Sequence, residues 1–182
     1  MSDPEPGLVK AAIEGLKTEV RSSTSSMTSV PKPLKFLKPH YDKIKEAYVR
    51  YPADKEKKGF ADLLSVLAIT MSAPDTNESL KFALEGTRSG IVNWGHEYLR
   101  TLSGEIANEY KKRLDKDGDT SLADLQFLID DIVIYYMSHN VEPEAVDLLL
   151  EINKLHMLID VLFLLTLSSA LNTTMNVFVS IF

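Results

Sequence analysis

Apolar residues return along most of this chain at intervals of three and four, with charged residues between them. That spacing predicts one amphipathic helix after another. Leu8, Ala12, Leu16 and Val20, interleaved with Lys10, Glu14 and Lys17, predict the first. The hydroxyl-rich run from Ser22 to Ser29 should end it, because short hydroxyl side chains compete for backbone hydrogen bonds and favour turns. Leu34, Leu37, Tyr41, Ile44 and Tyr48 carry the next pattern, interrupted by Pro39. Proline has no N–H and clashes with the preceding turn, so a short helical turn is expected before it and the main helix after it, ending near Pro52. Asp54 is placed to cap the following helix. Phe60, Leu63, Leu64, Val66, Leu67, Ile69 and Met71 cover most of that helix's circumference, which predicts the most buried element; Ser72, Ala73 and Pro74 should stop it.

A short helix is expected around Glu78 to Glu85. The longest periodic run follows: Trp94, Tyr98, Leu102, Ile106, Tyr110 and Leu114. Gly104 inside it is tolerable at about 1 kcal/mol relative to alanine. The polar stretch from Asp115 to Asp119 predicts a break. Leu122, Leu125, Leu128, Ile129, Ile132, Val133 and Tyr136 then define a buried face, with Asn140 placed to close the helix. Pro143 restarts the chain in a first turn, where its missing donor does least harm, and Ala145, Val146, Leu149, Ile152 and Leu155 continue the pattern. No stretch alternates with period two. The expected fold class is therefore all-α, with antiparallel helix pairs in an α-solenoid-like (HEAT-like) arrangement or an irregular bundle. No exact repeat recurs at a fixed period.

The 182 residues suffice for a domain with a real core. A net charge of −6 lacks the basic surplus of a nucleic-acid binder, so no nucleic acid is expected as partner. Cysteine is absent, which excludes disulfides, thiol catalysis and thiolate metal sites. The opening MSDPEPG is acidic and proline-bearing, unlike a secretory or transit signal, so cytoplasm and nucleus are the expected locations.

The string from Ser22 to Tyr41, SSTSSMTSVPKPLKFLKPHY, has an order that no catalytic logic requires. Around it stand Asp3-Pro4-Glu5-Pro6-Gly7-Leu8, Thr18-Glu19-Val20-Arg21-Ser22-Ser23, and DLLSVLAITMSA from Asp62 to Ala73. Further on come Glu78-Ser79-Leu80-Lys81, Trp94-Gly95-His96-Glu97-Tyr98-Leu99-Arg100, Gly104-Glu105-Ile106-Ala107, and HNVEPEAVDLL from His139 to Leu149. Together these closely resemble the N-terminal helical region of the 26S proteasome non-ATPase regulatory subunit 2 family. The resemblance implies a non-catalytic helical scaffold in the regulatory-particle base, beside the ATPase ring, contributing to ubiquitin-dependent protein degradation. It implies proteasomal ATPases and other regulatory-particle subunits as partners, with no catalytic, cofactor-binding or metal residues. In that family the docking sites for ubiquitin and shuttle receptors lie in a downstream toroid of proteasome/cyclosome repeats, which nothing in this chain resembles. From about Lys154 the sequence departs from the family pattern. The expected division is residues 1–155 as the scaffold region and 156–182 as a divergent, truncated tail.

Several signals imitate chemistry. Asp115, Asp117, Asp119 and Ser121 suggest alternating loop oxygens around Ca²⁺, giving the alternative of a calcium-binding module in the loop from Asp115 to Gln126. Thr120 stands where that loop needs glycine, and Gln126 where it needs a bidentate carboxylate, so a polar interhelix loop, capped by Thr120 or Asp119, is the expectation. His96-Glu97 resembles half of a zinc-protease motif, but Arg100 occupies the second histidine's position. His40, His96, His139 and His156 share no ligand spacing. Lys32, Lys35, Lys38, Lys43 and Lys45 form a basic patch around Phe36 and Tyr41, better matched to an acidic protein surface, or to no partner, than to nucleic acid. After Asp160 no charged residue follows, giving a second alternative, a tail-anchored membrane adaptor. The polar cluster Asn172-Thr173-Thr174-Met175-Asn176 opposes insertion, so membrane attachment is not the expectation.

Overall fold

The computed structural model describes residues 6–24, 32–52, 55–73, 76–87, 90–117 and 122–168. Among them the structure is all-α, without a strand. The helices are α1 (Pro6–Thr24), α2 (Lys32–Leu37), α3 (Tyr41–Arg50), α4 (Lys55–Met71), α5 (Glu78–Glu85), α6 (His96–Asp117), α7 (Ala123–Ser138), α8 (Glu142–Glu151) and α9 (157–168). They pack in pairs, as in an α-solenoid. The chain forms two compact units, Met1–Glu109 and Tyr110–Phe182.

In the first unit α4 is the centre. It packs against α5, α3 and α1. Ala61, Leu63, Leu64, Leu67 and Ala68 are fully buried, with Phe60 and Val66 nearly so. Ile69 and Met71 are half-buried, so the apolar band narrows only toward the helix end. Pro39 acts as its chemistry dictates: α2 stops at Leu37, a single 3₁₀ turn carries Lys38–His40, and α3 starts at Tyr41. Tyr48 of α3 meets Phe60 and Phe82 edge-on, with ring centroids 5.5 and 5.6 Å apart, tying three helices together.

Helix α1 buries a different stripe from the one its spacing predicts. Leu8 is 69% exposed and Ala12 is exposed, whereas Ile13 and Val20 are buried and Leu16 half-buried. Each residue turns the helix by about 100°, so a strict spacing of four drifts by about 40° per step and Leu8 ends about 120° from Val20. Ile13 and Val20, seven apart, differ by only about 20°. The hydroxyl run also stops the helix later than expected, since Ser22, Ser23 and Thr24 remain helical. Positions 25–29 lie outside the described residues, as does Asp54.

The run beginning at Trp94 is two elements. Trp94 closes a 3₁₀ turn, Ile91–Trp94, and Gly95 at φ 98° separates it from α6. Gly90 (φ 80°) bends the chain at the other end of that turn. The pair of left-handed glycines aims Trp94 inward, where it is buried and Arg21 of α1 stacks 4.6 Å from its ring centroid.

In the second unit Leu125, Leu128, Ile129, Ile132, Val133 and Tyr136 of α7 are fully buried, and α7 packs against α8 through Ala145, Leu148 and Leu149. Both helices end alike. Asn140 and Asn153 hold φ 58° and 56°. The next N–H in each case bonds five residues back: Val141 to the Tyr136 carbonyl at 2.9 Å and Lys154 to that of Leu149 at 2.8 Å. These are Schellman closures with asparagine in the left-handed position. The break expected from Asp115 comes later, because α6 continues through Asp117. Leu114 is correspondingly exposed.

Candidate functional site

A recess of about 280 Å³ lies along α3 and α5 in the first unit. Lys45, Tyr48 and Val49 line it from α3; Glu78, Lys81, Phe82 and Glu85 line it from α5. The spacings of three and four place each set on one helix face. Tyr41 Oη donates to Glu78 Oε2 at 2.8 Å and Tyr48 Oη donates to Glu85 Oε2 at 2.6 Å. Lys45 Nζ reaches Glu78 Oε1 at 3.2 Å and lies 4.6 Å from the Tyr41 ring centroid.

The electrostatics follow from these contacts. Burial, then the Glu78 hydrogen bond, pushes the Tyr41 hydroxyl well above the ordinary phenol range; burial, then Glu85, does the same for Tyr48. Both phenols stay protonated and serve as donors, not nucleophiles. Burial opposes the Lys45 charge, but Glu78 and Asp42 outweigh it and hold the ammonium above its usual range. The recess is thus a clamp between α3 and α5. At its rim Val49 is 75% exposed and Lys81 is exposed.

Three further polar groups join helices that sequence spacing cannot connect. Glu105 of α6 accepts the Leu80 N–H at 2.7 Å. Asp62 of α4 accepts the Thr87 N–H at 2.8 Å and the Thr87 hydroxyl at 2.7 Å. Ser79 Oγ donates to the Ser65 carbonyl at 2.8 Å, while Ser65 Oγ lies 2.7 Å from the Ser79 carbonyl and 2.8 Å from Tyr98 Oη. Ser65 and Ser79 are fully buried and Tyr98 nearly so, and burial raises the Tyr98 phenol above its ordinary range. Burial also raises the Asp62 and Glu105 carboxyls; the Thr87 and Leu80 hydrogen bonds pull the other way. In the second unit Arg113 Nη1 lies 2.9 Å from Asp124 Oδ1, and Lys111 pairs with Glu151.

The sequence signals fare differently. Asp115 is exposed on α6, which continues through Asp117, so the stretch expected to open a calcium loop is helix instead. Asp119, Thr120 and Ser121 lie outside the described residues; the α7 N-cap, Leu122, makes no side-chain capping bond. Gln126 Oε1 accepts from Lys154 Nζ at 2.7 Å, and its amide donates to Asp130 at 2.8 Å, so it ties α7 to the turn that follows α8. His96 opens α6 half-buried beside exposed Glu97; His40, His139 and His156 are exposed and scattered. No cluster of metal-ligating side chains occurs among the described residues. No helix of the described residues is long and apolar enough to cross a membrane, and 169–182 of the anchor alternative lie outside them. Lys35, Phe36, Lys38 and Lys43 form the exposed basic patch, Phe36 at 77% exposure.

Polar groups spent on joining helices, with shallow recesses between them, define a helical packing module. The family described as RPN1 N-terminal domain matches residues 1–169. The chain is 53% identical over 161 residues to 26S proteasome non-ATPase regulatory subunit 2 homolog A of Arabidopsis thaliana, covering 88% of this chain and 18% of that protein. It is 48% identical over 153 residues to 26S proteasome non-ATPase regulatory subunit 2 of Dictyostelium discoideum, covering 84% and 17%. Against 26S proteasome regulatory subunit rpn1 of Schizosaccharomyces pombe it is 43% identical over 152 residues, covering 84% and 17%. The chain belongs to the RPN1 N-terminal domain family, and it spans less than one fifth of the length of these curated relatives.

Proposed function

We propose that this chain is a non-catalytic scaffold segment of the 26S proteasome regulatory-particle base, supporting assembly and ubiquitin-dependent degradation through protein–protein contacts. The observation that carries the reading is the family match over residues 1–169, together with identities of 43–53% to named proteasome regulatory subunits. The geometry agrees in kind. Glu78, Glu85, Asp62 and Glu105 are committed to tyrosine, lysine, threonine or backbone donors that hold helices together.

Its partners are the proteasomal ATPases and other regulatory-particle subunits, in cytoplasm and nucleus. We assign 1–155 to the scaffold region and 156–182 to the divergent tail, on the loss of charge beyond Asp160. The test is co-expression of the full chain, tagged, with the proteasomal ATPase subunits, followed by affinity and size-exclusion chromatography. Co-elution in a defined stoichiometry supports the scaffold role. Recovery of the folded chain free of every ATPase subunit overturns it.

A further inference from the structure

From Lys32 to Lys45 the chain carries five lysines and one acid, although its net charge is −6. The structure divides those lysines. Lys45 is half-buried and spent on Glu78, 3.2 Å away, and on the Tyr41 ring. Lys35, Lys38 and Lys43 are exposed and have no ion-pair partner among the described residues. The two acids of α3 do not compensate them, because Asp42 pairs with Lys45 at 3.4 Å and Glu46 with Arg50 at 3.5 Å. A spot of unbalanced positive charge therefore stands on an acidic molecule.

Phe36 lies between Lys35 and Lys38. It is 77% exposed, more than any other large apolar side chain among the described residues. A lone exposed aromatic is ordinary on a protein surface; its setting here is not. Leu37 is half-buried and Tyr41 buried, the Tyr41 N–H bonds the Lys38 carbonyl, and Tyr41 Oη donates to Glu78. The backbone beneath Phe36 is thus pinned to the unit before any partner arrives. A pre-ordered aromatic flanked by charge has the form of a binding hot spot, since little freedom is left to lose on association.

The charge calls for an anionic partner, and the setting separates the kinds. A nucleic acid carries its phosphates in an unbroken run, which would extend over Asp42 and Glu46. Recognition of an anionic membrane takes a cluster of about four to eight basic residues, and three lysines fall short. An acidic protein segment matches both parts of the patch: its carboxylates meet the lysines, and an apolar side chain among them covers the Phe36 ring.

We propose that Lys35, Phe36, Lys38 and Lys43 form a docking surface for an acidic protein segment that carries an apolar residue among its carboxylates. The test is selection of a displayed library of random peptides on the full chain, followed by titration with the synthesised winner. The expected winner is rich in Asp and Glu around a Leu, Ile or Phe. Its affinity should fall about tenfold or more with Phe36→Ala and with the double variant Lys35→Glu, Lys38→Glu, and should weaken as salt is raised. Lys112→Glu with Lys116→Glu, on exposed lysines of α6, is the matched charge control and should bind as the parent does. Lys35→Gln with Lys38→Gln should give a smaller loss, and it repeats the test should the charge reversal fold poorly. Winners without an acidic bias, or equal affinity for the parent and for patch variants of unchanged helicity, overturn the proposal. So does tighter binding of a single-stranded RNA or of a phosphatidylserine vesicle at the same residues.

Discussion

Glu105 and Leu80 are joined across two helices: the α6 carboxylate takes the N–H of the third residue of α5 at 2.7 Å. Asn77, the residue at the α5 N-cap, sits at φ 50° and makes no side-chain capping bond. The start of α5 is therefore capped from a helix 25 residues away in sequence. A carboxylate at a helix N-terminus also meets the positive end of the helix dipole.

Glu105→Ala should cost about 1–2 kcal/mol, the usual range for a lost cap. Glu105→Gln retains an acceptor and should cost less. The pH dependence separates the two roles. Burial, reinforced by Glu78, raises the Glu105 carboxyl above its ordinary range despite the Leu80 bond. The native state then holds the proton more tightly than the unfolded chain. This group's contribution is greatest below the normal glutamate range and declines as pH rises through that range to the raised native value. Urea midpoints between roughly pH 4 and pH 7 should fall more steeply in the parent than in Glu105→Gln, which keeps only the other raised carboxyls such as Asp62. An identical slope in both proteins would refute the assignment.

Gly86 and Asp62 make a coupled pair. A Cβ at Gly86 would collide with Asp62 Oδ1, the atom that accepts the Thr87 N–H. Gly86 has φ −76°, so the need for glycine is one of space and not of backbone conformation. Gly86→Ala should destabilise by about 1–3 kcal/mol through overpacking. Asp62→Ala should cost a comparable amount through lost hydrogen bonds. In the double variant the obstructing carboxylate is gone, so the combined loss should fall below the sum of the two by 0.5 kcal/mol or more on the order of known neighbour couplings. Strict additivity in denaturant melts would disprove the contact.

Calcium should leave this protein unchanged. A site saturated a hundredfold above its Kd adds about 2.7 kcal/mol to stability. For a domain of this size that is a rise of several degrees in Tm. The candidate loop opens as helix, with α6 continuing through Asp117. A thermal melt with millimolar Ca²⁺ should overlay one with chelator. A rise of more than two degrees, abolished by Asp117→Ala, would restore the calcium module as a reading.

What the sequence discloses is periodicity, and periodicity reports burial more faithfully than connection. The bands of α4 and α7 were legible because Leu63, Leu64 and Leu67, and Leu125, Leu128, Ile129 and Ile132, recur over more than one turn and are all fully buried. Pro39 and Asn140 were legible because their backbone chemistry is local. The α1 stripe was misread because a spacing of four looks regular on paper yet drifts on a 3.6-residue helix. Trp94 and Tyr98 look like one stripe across Gly95, whose φ of 98° separates them. The Asp115 break was misplaced because acidic residues are compatible with an exposed helix end as well as a loop. Glu105, Asp62 and Ser65 gave no signal at all. Their partners stand 25, 25 and 33 residues away, and a polar residue on a helix carries no mark of whether its surroundings are water or a neighbouring helix.

The matched ends of α7 and α8 yield the last prediction. Asn140 and Asn153 hold left-handed conformations that cost an ordinary L-residue about 1–2 kcal/mol. Asparagine is among the few that adopt them routinely, and glycine adopts them without penalty from a Cβ. Replacement should therefore rank by backbone tolerance and not by helix propensity. At each position Gly should equal or exceed Asn, Ala should lose about 1 kcal/mol, and Val should lose more, since β-branching disfavours positive φ further. The Asn153 series is the more telling, because the Lys154 N–H bonded to the Leu149 carbonyl belongs to the residue whose ammonium reaches Gln126 and lies 5.4 Å from the Tyr110 ring centroid. A failed closure there would also misplace Lys154. Asn153→Ala should thus lose more than Asn140→Ala, and adding Lys154→Met should narrow the gap between them. Equilibrium unfolding of the six single variants and the two Lys154 doubles decides it; Ala surpassing Gly at either asparagine would rule out the left-handed closure.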